Sequence, residues 1–477
     1  MKLRIFNTAA NRVEDFVPIR PPDVGLYTCG MTVYYLTHIG NLRAYVNSDV
    51  LRRALEYAGF RVRHVMNVTD VGHMTSDEDE GEDKLEVGAR REGKTPLEIA
   101  RNYEEYFFRE CARMNILKPA VVCRATEHIG DMIALIKRLE ERGFAYRTKV
   151  GVIFDTQKFP DYAKFARLDL EGQQAGHRVV VDPERRTPWD FALWVTNQPK
   201  HVMQWDSPWG RGFPGWHIEC SAMSMKYLGE EFDLHTGGED HIKIHHSNEI
   251  AQSEAATGKK FARYWFHTHF MNIGNQKMSK SLNNLFTLDD LTARGFHPLS
   301  LRWFFLGSSY RKPINFTWDA LNGAQTTLVR FLEKVAELPE PSGPPLPEAT
   351  TAFEDAISDD LNTAKALAVL LETVSVKDQP ASVQLTIRNM DRILGLKLAQ
   401  ARTTLNEIGA LRKRSAGDET KATELMLRRQ DMRKQKKYAE ADRLRDEVLA
   451  MGFIIEDTAQ GPRLKPKYRG QATLYFA

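Results

Sequence analysis

The alternation of strand and helix patterns near the amino terminus constrains the fold more than any other feature of this sequence. "VGLYTCGMTVYY" is rich in β-branched and aromatic residues, and "NLRAYVNSDVLRRALEYAGF" repeats apolar residues every three to four positions. "RVRHVMNVTDV" then predicts a second strand. Strand, helix and strand in this order are typical of a parallel sheet with crossover helices. The pattern returns at "FDLHTGG" and "HHSNEIAQSEAATG", which predicts a doubly wound α/β domain with an insertion between its halves.

The rest of the chain divides by composition. We predict a helical region from about Lys94 to Arg142 and a polar, Gly-containing loop over "EGQQAGHRVVVDPERRTP". The Pro-rich stretch Leu338–Thr350 predicts a linker. Beyond it, helical sequence continues to about Arg412, and a charged helix and a short β-like tail follow. At 477 residues the chain exceeds one ordinary core, so several domains are expected.

Charge and cysteine content narrow the class of protein. With 66 basic and 63 acidic residues the net charge is +3, so any nucleic-acid-binding surface must be local. The 4 cysteines show no paired spacing, which favours a reducing compartment over a disulfide framework. The sequence shows no secretory signal and no apolar run of membrane-spanning length. We therefore expect a cytoplasmic protein without a membrane partner.

Two short motifs predict phosphate binding. His38-Ile39-Gly40-Asn41 lies between the first predicted strand and helix, where Gly40 lets the backbone approach a ligand and helix N–H groups favour an anion. Lys277 and Lys280 in "NQKMSKSLNN" could neutralise a triphosphate and then release it. An ordinary helix cap and a solvated surface loop are the alternative interpretations. The occurrence of both motifs in one chain favours the phosphate interpretation.

The cysteines fall into two groups. Cys111, in "YFFRECARMNI", and Cys123, in "AVVCRA", are predicted to be small core residues. Cys29 lies nine residues before the His38–Asn41 turn, and Cys220 lies in "FPGWHIECSAMSM". These two are candidates for a chemical role.

A candidate metal set includes these two cysteines. His245 and Glu249 are four residues apart, so on a helix both would point from one face. With Cys29 and Cys220 they form a set of two thiolates, an imidazole and a carboxylate, which suits zinc. His246 is the competing imidazole ligand. The ligands come from separate segments that only the fold could bring together.

Two charged stretches have different interpretations. The acidic run Asp77–Asp83 departs from the spacing of a calcium-binding loop, and we interpret it as a solvated face or flexible loop. In Leu427–Lys437 six residues are basic and only Asp431 is acidic, which suits a surface that follows a phosphate backbone. A solvated helix is the alternative.

Taken together, the motifs resemble one enzyme family. "THIGN" and "KMSKS" match its two signatures, and "NVTDV", "RATEHI", "PGWHIECSAM", "HHSNEIAQS" and "YAEADRLRDEVLAMGFIIEDT" are similar to its other stretches. From about Leu26 to Leu464 the chain resembles the cysteinyl-tRNA synthetases, which are class I aminoacyl-tRNA synthetases. The resemblance implies ATP-dependent formation of cysteinyl-adenylate and transfer of the cysteine to tRNA(Cys). The implied partners are ATP, L-cysteine and tRNA(Cys), with no obligatory protein partner.

The resemblance also assigns roles to residues. It implies one Zn²⁺ ion per subunit, which selects the substrate thiolate, and Mg²⁺ bound with ATP. The implied zinc ligands are Cys29, Cys220, His245 and Glu249, and the amino-acid pocket is lined by Cys29, Thr69 and Trp216. The implied catalytic residues are His38, Lys277 and Lys280. The implied ATP-binding residues are His38, Gly40, Asn41, Gly237, Gly238, Asp240, Lys277 and Lys280.

The domain organisation follows from the same resemblance. The expected fold is a Rossmann-type catalytic domain with an insertion, then a helical domain and a small mixed α/β anticodon-binding domain. The predicted limits are 1–120 and 210–256 for the two Rossmann halves, 121–209 for the connective insertion, 257–337 for the KMSKS loop and stem-contact region, 338–350 for the linker, 351–412 for the helical domain and 413–477 for the anticodon-binding domain.

Two residues depart from the family pattern. Asn41 stands where a histidine usually ends the first signature, and Asn283 replaces a common glycine after the second. An asparagine can still donate to phosphate, so we expect weakened rather than lost function.

Two other functions are alternatives to the tRNA ligase. One alternative is a ligase of the same ancestry that joins cysteine to an amino-sugar, against which the long tail from Thr351 argues. The other is an RNA-binding relative that has lost catalysis.

Overall fold

The computed structural model describes residues 1–72, 84–168, 184–199, 201–277, 284–458 and 461–466. The strands are β1 (Arg4–Asn7), β2 (Arg12–Asp15), β3 (Asp23–Thr28), β4 (Arg61–Val68), β5 (Val121–Arg124), β6 (Ala145–Thr148), β7 (Gly151–Phe154), β8 (Phe191–Thr196), β9 (Gly212–Pro214), β10 (Phe232–Gly238), β11 (Ala262–Thr268), β12 (Met271–Ile273), β13 (Gln276–Lys277), β14 (Ile314–Phe316), β15 (Phe453–Thr458) and β16 (Gly461–Pro466). The α-helices are α1 (Ile39–Tyr57), α2 (Lys84–Glu92), α3 (Pro96–Arg113), α4 (Ile129–Glu141), α5 (Trp216–Leu228), α6 (Ser247–Thr257), α7 (Leu288–Ala293), α8 (Pro298–Leu306), α9 (Trp318–Glu337), α10 (Pro347–Ser358), α11 (Thr363–Thr373), α12 (Pro380–Leu394), α13 (Ala401–Lys434) and α14 (Tyr438–Ala450).

A parallel sheet in the order β11-β10-β3-β4-β5 forms the centre of the catalytic region. From β3 the chain builds outward through β4 and β5, and from β10 it builds in the other direction to β11. The predicted doubly wound α/β domain is confirmed. Where the strand order reverses, the loops at the carboxyl ends of β3 and β10 diverge, and such a point leaves a crevice for a ligand.

The central strands are buried because helices cover the sheet. The last five residues of β4 are all buried, as expected of a parallel strand that is packed on both faces. Helix α1 follows β3 and packs its apolar side, including Leu51 and Leu55, into the core beneath the sheet. The apolar repeat predicted the helix but not its surroundings, because no residue of α1 is exposed and its polar residues Asn47 and Asp49 are buried as well.

The predicted helical region between Lys94 and Arg142 contains α3 and α4, but β5 lies between them. A four-residue apolar segment is too short to show a period, and its pairing with β4 makes it a strand. Both β5 and β11 belong to the central sheet, although they lie outside the predicted limits of the Rossmann halves at 120 and 256. Helix α10 begins at Pro347, inside the predicted linker 338–350, because proline is accepted in the first turn of a helix. Apart from the limit within α13, the other domain limits stay predictions.

Two smaller sheets flank the central one. An antiparallel sheet in the order β6-β7-β8-β9 lies within the predicted insertion. A three-stranded sheet in the order β13-β12-β14 follows the central sheet and carries Lys277 on β13. The rest of the second signature, including Lys280, lies outside the described residues, as do Asn283 and Asp77–Asp83.

The carboxyl-terminal part is helical and ends in the β15–β16 hairpin. Helix α13 runs through the predicted limit between residues 412 and 413 without a break. The sequence becomes charged there, but lysine, arginine and glutamate are good helix formers, so the change in composition does not end the helix.

A buried arginine attaches the helical part to α1. Arg302, on α8, places Nη2 2.6 Å from Asp49 Oδ2 of α1, and both side chains are buried. Its Nε donates to the carbonyl of Leu394 at the end of α12 (2.7 Å), and its Nη1 donates to the carbonyl of Met114 (3.0 Å). Through Arg302 of α8, helix α1 is thus attached to the end of α12 and to the residue that follows α3.

Candidate active site and metal centre

A cavity of about 470 Å³ opens at the point where β3 and β10 diverge. Most of the site residues predicted from the sequence line it. They are Cys29, His38, Gly40, Asn41, Thr69, Trp216, Cys220, Gly237, Gly238, Asp240 and His245. The fold therefore brings both halves of the doubly wound domain to one crevice.

Four of the predicted residues converge at the base of this cavity. Cys29 follows β3, Cys220 lies on α5, His245 lies within a π-helical turn (Ile242–His246), and Glu249 is in the first turn of α6. One ligand atom from each lies within 4.8 Å of the others, and all four side chains are buried. The fold therefore gathers the dispersed set into a cluster that could hold a metal ion.

A second set shares two members of the first. The Cys29 thiol and Glu249 also lie near His235 and His246, whose ligand atoms fall within the same 4.8 Å limit. His246 Nε2 is 3.3 Å from Cys29 Sγ. Unlike Cys220 and His245, however, His235 and His246 do not line the cavity. Three residues of the first set, Cys29, Cys220 and His245, therefore face the space in which a substrate could meet a metal ion, whereas Cys29 alone does so in the second set.

The protonation of the cluster reflects its crowding. Burial alone would raise the pKa of Glu249, but His235 and His245 lower it to about 2. Burial alone would lower the pKa of His245, but Glu249 and Cys220 raise it to about 10. A hydrogen bond from the Cys29 thiol lowers the pKa of Cys220, whereas burial raises that of Cys29. The raised pKa of His245 shows that the cluster stabilises positive charge. A divalent cation held by these four donors would supply that charge in place of the proton.

Histidines that the sequence analysis did not single out surround the cluster. His235 Nε2 is 2.8 Å from Glu249 Oε2, and His217 Nδ1 is 3.0 Å from His245 Nδ1. These contacts orient the carboxylate and the imidazole of the metal set. The sequence signal that could have found them is the local concentration of histidine, since 7 of the 14 histidines lie between His217 and His269, both included.

Thr69 and Trp216, which are predicted to line the amino-acid pocket, form the cavity wall beside the cluster. The ring centroid of Trp216 lies 4.5 Å from that of His245. Thr69 is buried and donates to Glu219 Oε2 at 3.1 Å. Glu219, next to Cys220 in sequence, is a further buried residue near the pocket that the sequence analysis missed.

The first signature forms the start of α1. His38 is the N-cap, and its Nδ1 accepts the backbone N–H of Asn41 at 3.3 Å. The side-chain oxygen of Asn41 accepts the backbone N–H of His38 in return. This reciprocal cap fixes the turn and gives Asn41 a structural role in addition to its place in the cavity wall.

The end of β10 forms the opposite wall. A Cβ atom at Gly237 would lie 2.7 Å from His241 Nδ1 and 2.8 Å from His246 Cε1, so only glycine fits there. Gly238 and the exposed Asp240 continue this wall. The histidines packed against Gly237 thus account for the glycine, and the contacts of this wall with a nucleotide stay a prediction.

The basic stretch Leu427–Lys437 covers the end of α13. Of its six basic side chains, only Arg429 is buried, where it pairs with Asp457 at 2.9 Å. Arg433 also contacts Asp457, at 2.6 Å, but stays exposed. The remaining positive charges face solvent, so the helix end presents a local basic surface.

Comparison with known proteins agrees with this architecture. Residues 15–326 match the family described as tRNA synthetases class I (C) catalytic domain, residues 352–410 match the DALR domain, and residues 419–462 match the cysteinyl-tRNA ligase anticodon binding domain. In the described ranges, no helix is both long and apolar enough to cross a membrane.

Individual proteins are similar over nearly the whole chain. Cysteine–tRNA ligase 1 of Burkholderia lata is 46% identical over 467 residues, which cover 97% of each chain. The cysteine–tRNA ligase of Treponema denticola is 43% identical over 488 residues, covering 96% of this chain and 98% of that protein. The methionyl-tRNA synthetase of Mycobacterium tuberculosis, solved with methionyl-adenylate, is 15% identical and gives a TM-score of 0.54 over 80% of this chain and 91% of its own. At that identity the likeness concerns the fold alone.

Proposed function

Because the chain belongs to the cysteine–tRNA ligase family of class I aminoacyl-tRNA synthetases, we propose that it activates cysteine with ATP in the cavity between β3 and β10. The enzyme then transfers the cysteine to its tRNA. The observation that carries this assignment is the convergence of Cys29, Cys220, His245 and Glu249 at the base of the cavity. The likeness to cysteine–tRNA ligases spans 97% of the chain, so the amino-sugar ligase and the inactive RNA-binding protein lack support.

The donor set suits zinc. Two thiolates, one imidazole and one carboxylate are donors that Zn²⁺ accepts. When bound, the zinc would take the thiolate of the substrate as a further ligand and so distinguish cysteine from serine, whose hydroxyl is a poor ligand. A pocket that relied on size alone would separate such near-isosteres only ~10–200-fold, whereas protein synthesis needs about 10⁴–10⁵.

The activation step uses the walls of the cavity. The substrate carboxylate attacks the α-phosphorus of ATP, the bond from that phosphorus to its bridging oxygen breaks, and pyrophosphate leaves. His38, Gly40 and Asn41 would hold the phosphates at the start of α1, and Gly237, Gly238 and Asp240 would contact the adenosine. Lys277 and Lys280 would stabilise the charge on the departing pyrophosphate. Magnesium would accompany ATP.

The transfer step joins cysteine to RNA. A hydroxyl of the terminal adenosine of tRNA attacks the adenylate carbonyl, and AMP leaves. Thr69 and Trp216 would hold the cysteine during both steps. The basic end of α13 would follow the phosphates at the anticodon end of tRNA(Cys). Since protein synthesis uses this product in the cytoplasm, we place the enzyme there.

The test is charging of tRNA(Cys) with radiolabelled cysteine and serine in parallel, with metal analysis of the same sample. We expect cysteinyl-tRNA, no detectable seryl-tRNA and one zinc ion per chain. Charging of both amino acids at comparable rates, or full activity without zinc, would contradict the proposal.

A further inference from the structure

Arg43 is a buried arginine on α1, two residues beyond the first signature. Only 1% of the residue is exposed. Its Nη1 donates to the carbonyls of His269 (2.6 Å) and Phe270 (2.7 Å), and its Nη2 donates to those of Ser309 (3.1 Å) and Lys312 (2.7 Å). Burying a guanidinium is costly unless hydrogen bonds replace its water, and four backbone oxygens do so for the two terminal nitrogens of Arg43.

The four carbonyls precede two neighbouring strands. His269 and Phe270 lie just before β12, and Ser309 and Lys312 lie just before β14. Those strands pair in parallel, and β12 also pairs with β13, where Asn272 is opposite Lys277. The guanidinium of Arg43 therefore attaches both β12 and β14 to α1, and these are the parallel strands of the sheet that carries Lys277.

The second signature lies between Phe270 and Phe286 in the sequence, and a second contact attaches the Phe286 end of this segment to α1. The backbone N–H of Ile39, the first residue of α1, donates to the carbonyl of Phe286 at 2.8 Å. Phe286 follows the second signature in sequence, whereas His269 and Phe270 precede it. Both ends of the segment that contains the signature lysines are thus bonded to the first turns of α1. That helix begins at the cap formed by His38 and Asn41.

We propose that Arg43 is a positioning residue for cysteine activation, which fixes the hairpin carrying Lys277 relative to the turn His38–Asn41. Phosphates held at the start of α1 then lie at a fixed position relative to the strand that carries Lys277. The inference rests on the proposed function, because it uses Lys277 and Lys280 as phosphate contacts. A lysine could not replace Arg43, since one ammonium lacks the planar fork that reaches carbonyls on two strands.

The experiment compares full-length Arg43→Lys with the parent enzyme. The assay is cysteine-dependent exchange between ATP and pyrophosphate, with kcat, the KM for each substrate and the zinc content measured on each sample. Because a misplacement of about 1 Å can cost about 100-fold, we expect kcat to fall about 10–100-fold while the KM for cysteine and the zinc content stay unchanged. Arg52→Gln is the matched control on α1: Arg52 donates to the carbonyl of Lys118, remote from the hairpin, and parental activity is expected.

A double-mutant cycle separates positioning from other roles. In a background of Lys277→Ala with Lys280→Ala, Arg43→Lys should change the exchange rate by less than about twofold, because the groups it positions are gone. An equal loss in both backgrounds, or parental exchange by Arg43→Lys, would overturn the inference. If the double lysine variant retains parental activity, the proposed function fails instead.

A second variant guards against a folding defect. Arg43→Gln carries no charge to desolvate and keeps two N–H donors, so it serves if Arg43→Lys is recovered without zinc. Loss of zinc from both variants would assign Arg43 to maintenance of the fold and overturn the positioning role.

Discussion

His235 Nε2 lies 2.8 Å from Glu249 Oε2, and both side chains are fully buried. The other carboxylate oxygen of Glu249 lies 3.0 Å from His245 Nε2 within the candidate metal set. His235 therefore fixes the plane of a carboxylate that would ligate metal, from the side away from the cavity.

The first prediction concerns this contact. His235→Phe fills the same space but cannot donate to Glu249, so zinc affinity should fall about 10–100-fold, as is usual for lost outer contacts of a metal site. His235→Gln retains an N–H donor and should lose less. Competition with a chelator measures the affinity of each purified variant. Identical affinities for both variants and the parent would show that the hydrogen bond does not support the ligand.

The second prediction concerns the metal set. Cys220→Ser replaces a soft thiolate with a hydroxyl that binds zinc weakly, so metal content and cysteine activation should fall together. Elemental analysis and pyrophosphate exchange measure the two quantities on one sample. Cys123→Ser is the matched control, because Cys123 is buried on β5 outside the cluster. Full zinc occupancy in Cys220→Ser would remove Cys220 from the ligand set.

The third prediction concerns the second signature. Lys280→Ala should lower the rate of adenylate formation about 10²–10³-fold, because it removes a donor to charge that develops in the transition state. Binding of tRNA, measured by filter retention, should change little. Equal losses in adenylate formation and tRNA binding would indicate a general defect in folding.

The fourth prediction concerns the junction between α1 and the helical part. Arg302→Met leaves the buried carboxylate of Asp49 without its closest partner, which should lower the free energy of unfolding by about 3–5 kcal/mol. Arg61→Met is the matched control, since Arg61 pairs with Asp23 at the surface and its loss should matter far less. Calorimetry gives both unfolding temperatures. Equal shifts would show that burial does not strengthen the Arg302 contact.

The fifth prediction concerns pH. Burial, together with the nearby Asp240, raises the pKa of Glu239 from 4.5 to about 7. The folded protein therefore retains a proton that the unfolded chain releases, so this group lowers stability as pH rises from about 4.5 to about 7. The variant Glu239→Gln has no carboxyl group at this position, so its stability does not show this decrease as pH rises. Its unfolding temperature relative to the parent should be higher at about pH 8 than at about pH 5, and a pH-independent difference would contradict the pKa shift.

The sequence determined the features that depend on neighbouring residues. The apolar repeat after "TVYY" defined α1, and the His38–Asn41 motif marked its first turn, because helix periodicity and capping are local. The resemblance identified Cys29, Cys220, His245 and Glu249 as a set, but their convergence depends on where β3, α5 and α6 end.

The tertiary structure alone decided the contacts between distant segments. Nothing near Arg43 in sequence indicates that its partners are carbonyls more than 200 residues away, and nothing near Asp49 points to Arg302. Backbone carbonyls carry no side-chain signal, so an arginine that binds them looks like any charged residue on a helix. Likewise β5 became a strand through its pairing with β4, which local pattern cannot supply.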